Sequence, residues 1–186
     1  MTTKDTFTHN PLPEDTGDTQ ATEKNDEYFM AEAIKEARLA EAEGEVPVGA
    51  VIVRNGEIIG RGRNTREYGK NALGHAEIAA IDEACKKLGG WRLMGCTLYV
   101  TLEPCPMCAG AIISARIPRV VSAVKDAKAG AFGSVINLNS YPFNHKTQTD
   151  YGTLEKEASE MLSGFFQTLR AKLSSKKKKA SATLND

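Results

Sequence analysis

The stretch Pro47-Val48-Gly49-Ala50-Val51-Ile52-Val53-Arg54-Asn55-Gly56-Glu57-Ile58-Ile59-Gly60 decides the architecture. Residues 47–53 form a short apolar run rich in valine and isoleucine, the pattern of a buried strand. Asn55-Gly56 follows at once, and both residue types tolerate the positive φ angles of a tight hairpin turn. Ile58-Ile59-Gly60 then returns as the antiparallel partner. A hairpin here makes the sheet mixed rather than purely parallel.

Working outward, Phe29, Met30, Ala33, Ile34, Ala37 and Ala40 recur at helical spacing, and Gly44 stops that helix. Downstream, a loop rich in Arg, Asn and Gly runs to Leu73-Gly74. A helix is expected from about His75, carrying Ile78, Ala79, Ile81 and Ala84. Thr97-Leu98-Tyr99-Val100-Thr101 reads as a strand, and a further helix starts near Cys105 with Ala109, Ala111, Ile112 and Ile113. Arg119-Val120-Val121-Ser122-Ala123 is the next strand. The closing segment, 154–173, is helical, with Leu162, Phe165, Phe166 and Leu169 as its apolar face. Strands alternating with helices indicate an α/β layer fold.

The length of 186 residues suits one domain, and 41% apolar with 26% charged residues is ordinary for a globular protein. Residues 1–25 are rich in Thr, Asp, Pro and Gly and are expected to be a disordered extension. Residues 26–173 form the folded domain, and 174–186 a disordered basic tail that includes Lys176-Lys177-Lys178-Lys179. Such a tail either holds phosphates through charge or is a solvated terminus. No apolar run has the ~20 residues of a membrane helix, and the N-terminus lacks a secretory layout. The expected location is the cytoplasm. Net charge is zero, so composition alone names no nucleic-acid partner.

Chemistry concentrates in His75-Ala76-Glu77 and, about thirty residues on, Pro104-Cys105-Pro106-Met107-Cys108. His-x-Glu followed by Pro-Cys-x-x-Cys is the zinc deaminase signature. The physical case stands beside it. Catalytic zinc takes three protein nitrogen or thiolate ligands and keeps a fourth place for water. His75, Cys105 and Cys108 give that count, and the two thiols sit about one helical turn apart. Helix N-termini at both ligand sets favour thiolate. A bound water of lowered pKa becomes a usable nucleophile. Glu77 is then the proton carrier, which must reach both the water and the departing amine. A lone Cys-x-x-Cys also fits half a structural site or a redox pair. The remaining two of the four cysteines, Cys85 and Cys96, read as packing residues, and a redox pair leaves His75 and Glu77 unexplained. His9 falls in the extension and is read as inert.

With these residues in hand, the chain resembles the bacterial-type tRNA-specific adenosine deaminases of the cytidine deaminase superfamily. The resemblance runs from about Tyr28 to Arg170. It covers Glu45-Val46-Pro47-Val48-Gly49-Ala50-Val51, the two metal motifs, Tyr99-Val100-Thr101-Leu102-Glu103, Asp126-Ala127-Lys128, Gly130-Ala131, Gly133-Ser134 and Asn144-His145. The acidic head has no match. The resemblance implies a three-layer fold, with a five-stranded mixed sheet flanked by helices, and a homodimer with one zinc per subunit. It implies that hydroxide on the metal attacks C6 of the wobble adenosine in a tRNA anticodon loop, chiefly of an arginine tRNA, yielding inosine. Asn64, Ala76 and Val48 would line the base pocket. Asp126, Lys128, Asn144 and His145 would contact the flipped-out loop, and Phe165, Phe166 and Arg170 the neighbouring nucleotides.

Bland readings stand beside these. Asn64 also suits a turn, Lys128 an ordinary surface charge, and at least one of Phe165 and Phe166 the core. A metabolic deaminase of free cytosine, guanine or cytidine shares the metal motif. A zinc-stabilised RNA-binding module would not need Glu77.

Overall fold

The computed structural model describes residues 21–182, with side chains from 26 to 175. The acidic head before residue 21, His9, the side chains of Lys176 to Lys179 and the last four residues lie outside it. In chain order the elements are α1 (Ala21–Ala42), β1 (Gly49–Arg54), β2 (Glu57–Arg63), α2 (Arg66–Gly69), α3 (Ala76–Leu88), β3 (Cys96–Leu102), α4 (Pro106–Ser114), β4 (Arg119–Val124), a 3-10 turn (Leu138–Ser140), β5 (Gln148–Tyr151) and α5 (Glu155–Ala182).

The strands form one five-stranded sheet in the order β2-β1-β3-β4-β5. The hairpin is present: Asn55 and Gly56 have φ of 51° and 75°, and Val53 pairs with Ile58 beyond a bulge. β1 is antiparallel to β2 and β3, while β3, β4 and β5 run parallel. The sheet is therefore mixed, as the hairpin requires.

Alternation along each strand builds a core on both faces. Ala50, Ile52, Leu98, Val100 and Val120 point to the side carrying Ala76, Ala80 and Ala84 of α3 and Ala109 and Ile112 of α4. Val51, Val53, Tyr99 and Val121 point to the other side, against Phe29, Met30, Ala33 and Ile34 of α1 and Ala158 of α5. That is a three-layer α/β/α arrangement. The layers meet at glycines: a Cβ at Gly62 would lie 2.0 Å from the Ala76 carbonyl oxygen, and one at Gly49 would lie 2.1 Å from that of Ala33. Glycine on the strand is what lets the first turn of α3 rest directly on β2.

Helix passes both expected tail boundaries. α1 begins at Ala21, before residue 26, and α5 continues past Ser174 to Ala182. Absent apolar surface argued for disorder there. Extending a helix already anchored by packing needs only propagation, and Ala, Glu and Lys propagate well. α5 itself docks through its first two turns, where Ala158 and Leu162 are buried. The expected apolar face ends there: Phe165 is half-buried, Phe166 and Leu169 are exposed, and neither phenylalanine belongs to the core.

Candidate active site and metal centre

β1 runs opposite to β2, β3 and β4, so its start lies at the same end of the sheet as their ends. The segments leaving that end enclose a cavity of about 210 Å³. Val46 and Val48 come from before β1, Asn64 and Arg66 from after β2, and Leu102, Glu103 and Cys105 from the end of β3. Asp126 and Ala129 follow β4, and His75, Ala76 and Glu77 open α3. Clefts beyond strand ends are the usual ligand position in α/β sheets. The volume is below the ~300–1,000 Å³ of drug-sized pockets and suits one planar ring.

His75 and Cys105 are the N-cap residues of α3 and α4, both extended and neither capping with its side chain. Their side chains are thus free to turn to each other, and Pro106 at the first position of α4 fits because no helical N–H is needed there. His75 Nδ1 lies 3.6 Å from Cys105 Sγ and 3.5 Å from Cys108 Sγ. A nitrogen and a sulfur held tetrahedrally at ~2.0 and ~2.3 Å from one ion stand ~3.6 Å apart. All three ligand atoms fall within 4.8 Å of one another. The donor set fits zinc, with Nδ1 as the histidine ligand.

The site's electrostatics follow from this crowding. A hydrogen bond from the Cys108 thiol, then one from His75, pulls Cys105 down to about 4 against the opposing effect of burial. The Cys108 thiol is held up by its bond to Cys105 and by burial. The hydrogen bond with Cys105 outweighs burial and raises His75. Such a set releases protons as a cation binds. Glu77 is only 3% exposed, and burial lifts its carboxyl to about 6. It lines the cavity outside the three-ligand cluster.

Two other buried carboxylates stand at this end of the sheet: Glu103 lines the cavity, and Glu45 holds Asn64, which does. Glu103 accepts from the backbone N–H groups of Asp126, Phe132 and Ser134 and from the Ser134 hydroxyl. Burial works against its charge, but these donors hold it below the usual range. Asp126 in turn accepts from the N–H groups of Lys128 and Ala129. Glu45 accepts from Asn64 Nδ2 at 3.1 Å and from the Tyr68 N–H at 2.7 Å. Neither Glu45 nor Glu103 was expected as a site residue, nor were Val46, Arg66, Leu102 and Ala129. The available signal was a carboxylate set inside an apolar run: Glu45 before Val46-Pro47-Val48, and Glu103 after Leu98 to Leu102.

The structure brings Val48, Asn64, Ala76 and Asp126 to the wall that also holds His75, Cys105 and Glu77. The other expected contacts lie elsewhere. Lys128 is exposed on the loop past Asp126. Asn144 lines a separate hollow with Arg116 and Phe143. His145 Nε2 meets the Ile117 carbonyl at 2.9 Å. Phe165, Phe166 and Arg170 stand on α5, and none of them lines the cavity. Cys85 is half-buried and Cys96 fully buried, apart from the cluster.

The family described as the cytidine and deoxycytidylate deaminase zinc-binding region matches residues 23–124. The chain is 55% identical to a tRNA-specific adenosine deaminase of Bacillus subtilis (strain 168) over 156 residues, 83% of this chain and 94% of that one. It is 49% identical to a tRNA-specific adenosine deaminase of Aquifex aeolicus (strain VF5) over 145 residues, 77% and 95% of the two chains. A structure solved in work on A-to-I editing by tRNA:A34 deaminases superposes with TM-score 0.71 at 45% identity, covering 73% of this chain and 99% of its own. A guanine deaminase from Nitrosomonas europaea, 22% identical, shares the fold with TM-score 0.64 over 85% of this chain and 98% of its own.

Proposed function

This chain belongs to the cytidine and deoxycytidylate deaminase zinc-binding family and, within it, to the tRNA-specific adenosine deaminases; from that premise we propose that it deaminates adenosine to inosine at the wobble position of a tRNA anticodon. One observation carries the reading. One cavity of base size is lined by His75 and Cys105 of the three-residue zinc-type cluster, by the buried Glu77 and by Asn64.

His75, Cys105 and Cys108 are the zinc ligands, and zinc bound there supplies the lowered water pKa that hydrolysis at neutral pH requires. Glu77 accepts the proton released by the attacking water. It delivers that proton to a ring nitrogen, then takes the proton of the new hydroxyl at C6 and gives it to the amine as the C6–N bond breaks, so adenosine and water give inosine and ammonia. A carboxyl lifted by burial suits a group that must both take and give a proton. Val48 and Ala76 bound the ring, and Asn64 addresses its polar edge. The base must leave the stack to enter, which an unpaired anticodon loop permits.

Asp126 at the rim and Lys128 beside it face the nucleotides flanking the base. Asn144 and His145 bind further along the loop, and the exposed face of α5, with Phe165, Phe166 and Arg170, stacks on and neutralises more distant nucleotides. The favoured substrate is an arginine tRNA. The enzyme acts as a homodimer in the cytoplasm; exposed Val135, Ile136, Tyr141 and Phe143, between β4 and β5, supply apolar surface for a second copy.

The test is inosine formation on an unmodified anticodon stem-loop with a wobble adenosine, run beside free adenosine, cytidine, cytosine and guanine. Inosine in the stem-loop alone is expected. Ammonia from a free base or nucleoside alone would move the protein to metabolism.

A further inference from the structure

Glu45 is fully buried and sits on the short link between α1 and β1. Among the described residues no lysine or arginine pairs with it. Its partners are the Asn64 amide and the Tyr68 backbone N–H. A buried carboxylate held only by neutral donors costs the fold more than an apolar side chain of similar size. What it does for its neighbours is specific. Asn64 turns its NH2 group toward Glu45, Nδ2 donating to Oε2 at 3.1 Å. The amide oxygen of Asn64 then faces away. No donor among the described residues reaches that oxygen, and no buried side-chain oxygen or nitrogen lacks a partner. The oxygen is therefore open to the cavity that Asn64 lines. The second bond matters too: by holding the Tyr68 N–H, Glu45 fixes α2 against the same wall, where Arg66 lines the cavity.

We infer that Glu45 is the positioning residue for base recognition: it locks the Asn64 amide so that the cavity meets a fixed acceptor, matched to an N–H donor on the edge of the base. The inference rests on the reading of Asn64 as the base-edge contact. Without Glu45 the amide turns freely, and either an oxygen or an NH2 group faces the ligand.

The test reverses the hydrogen bond. Asn64→Asp sets two carboxylates together and removes the donor. Adding Glu45→Gln to it supplies the donor from the other side and leaves an acceptor facing the cavity. N64D is expected to lower kcat/KM on the stem-loop by about 10- to 100-fold, the cost of a misplaced buried polar contact. The E45Q/N64D double variant is expected to recover about tenfold or more over N64D, with zinc content and Tm measured for each protein. E45Q alone, which keeps the volume and an acceptor for Tyr68, is expected to lose activity in the wild-type background and to add no loss to Asn64→Ala. Failure of the double variant to exceed N64D, or losses of E45Q and N64A that multiply, would overturn the assignment. If the wild type turns over a free base instead of the stem-loop, the tRNA reading fails. The same cycle on that base then decides the role of Glu45.

Discussion

Glu77 carries the chemical step in this account, and its surroundings define its variant. Its carboxyl is buried in the cavity wall and stands outside the ligand cluster. Glu77→Ala should therefore keep one zinc per chain and lower kcat on the stem-loop by about a hundred- to ten-thousand-fold, the range of a lost general acid/base. Zinc content and single-turnover rates check this; substantial turnover in zinc-loaded E77A would refute the proton-carrier role. At this scale the sequence was uneven as a guide. His75, Cys105 and Cys108 were legible because ligand chemistry restricts both residue type and spacing. Glu45 and Glu103 were not assigned, because each acts through what it touches: the partners of Glu45 are 19 and 23 residues away, and those of Glu103 23 to 31. The aromatic pair on α5 was misjudged in part, since periodicity marks an apolar face without saying how far another layer covers it.

At the scale of elements, one charged clasp ties α1 to the sheet. Arg119 of β4 donates twice to Asp26 of α1, at 2.9 and 2.7 Å, and once to Asp150 of β5 at 2.7 Å. The Tyr99 hydroxyl of β3 completes it at 2.6 Å from Asp26. Burial works to raise Asp26, but the bonds from Arg119 and Tyr99 and the Arg119 charge outweigh it and hold it below 3.8. A carboxyl depressed in the folded state stabilises the fold above its unfolded pKa. That contribution is lost as pH falls through the folded value. Asp26→Asn should thus cost about 1.5–3 kcal/mol at pH 7, the range of a charged hydrogen bond, with the difference from wild type shrinking as pH drops below 3.8. Urea unfolding of both proteins across pH 7 to 3 reads this; a gap of constant size would contradict it. The hairpin, β3, β4 and the helices were legible from apolar periodicity. β5 was not located in the chain, because Gln148-Thr149-Asp150-Tyr151 is a short, polar edge strand whose side chains are half-buried or exposed. Only the family resemblance implied a fifth strand.

For the whole molecule, the arrangement that matters is convergence. A mixed sheet turns the start of β1 and the ends of β2, β3 and β4 to one side. Two helices then begin there, with His75 and Cys105 of the three-residue cluster as their N-caps. Glycine at 62 lets α3 sit directly on β2, which brings Ala76 and its neighbours to the cavity. The motif residues are 30 and 33 positions apart, yet their ligand atoms stand as one tetrahedral ion would hold them. This convergence makes one zinc-dependent deaminase centre per chain. The most direct measurement strips the protein with a chelator, returns zinc stepwise, and follows inosine formed in the anticodon stem-loop. No inosine is expected without metal, and activity is expected to rise linearly and break at one zinc per chain. Inosine formed by the stripped protein, or a break at another stoichiometry, would contradict it.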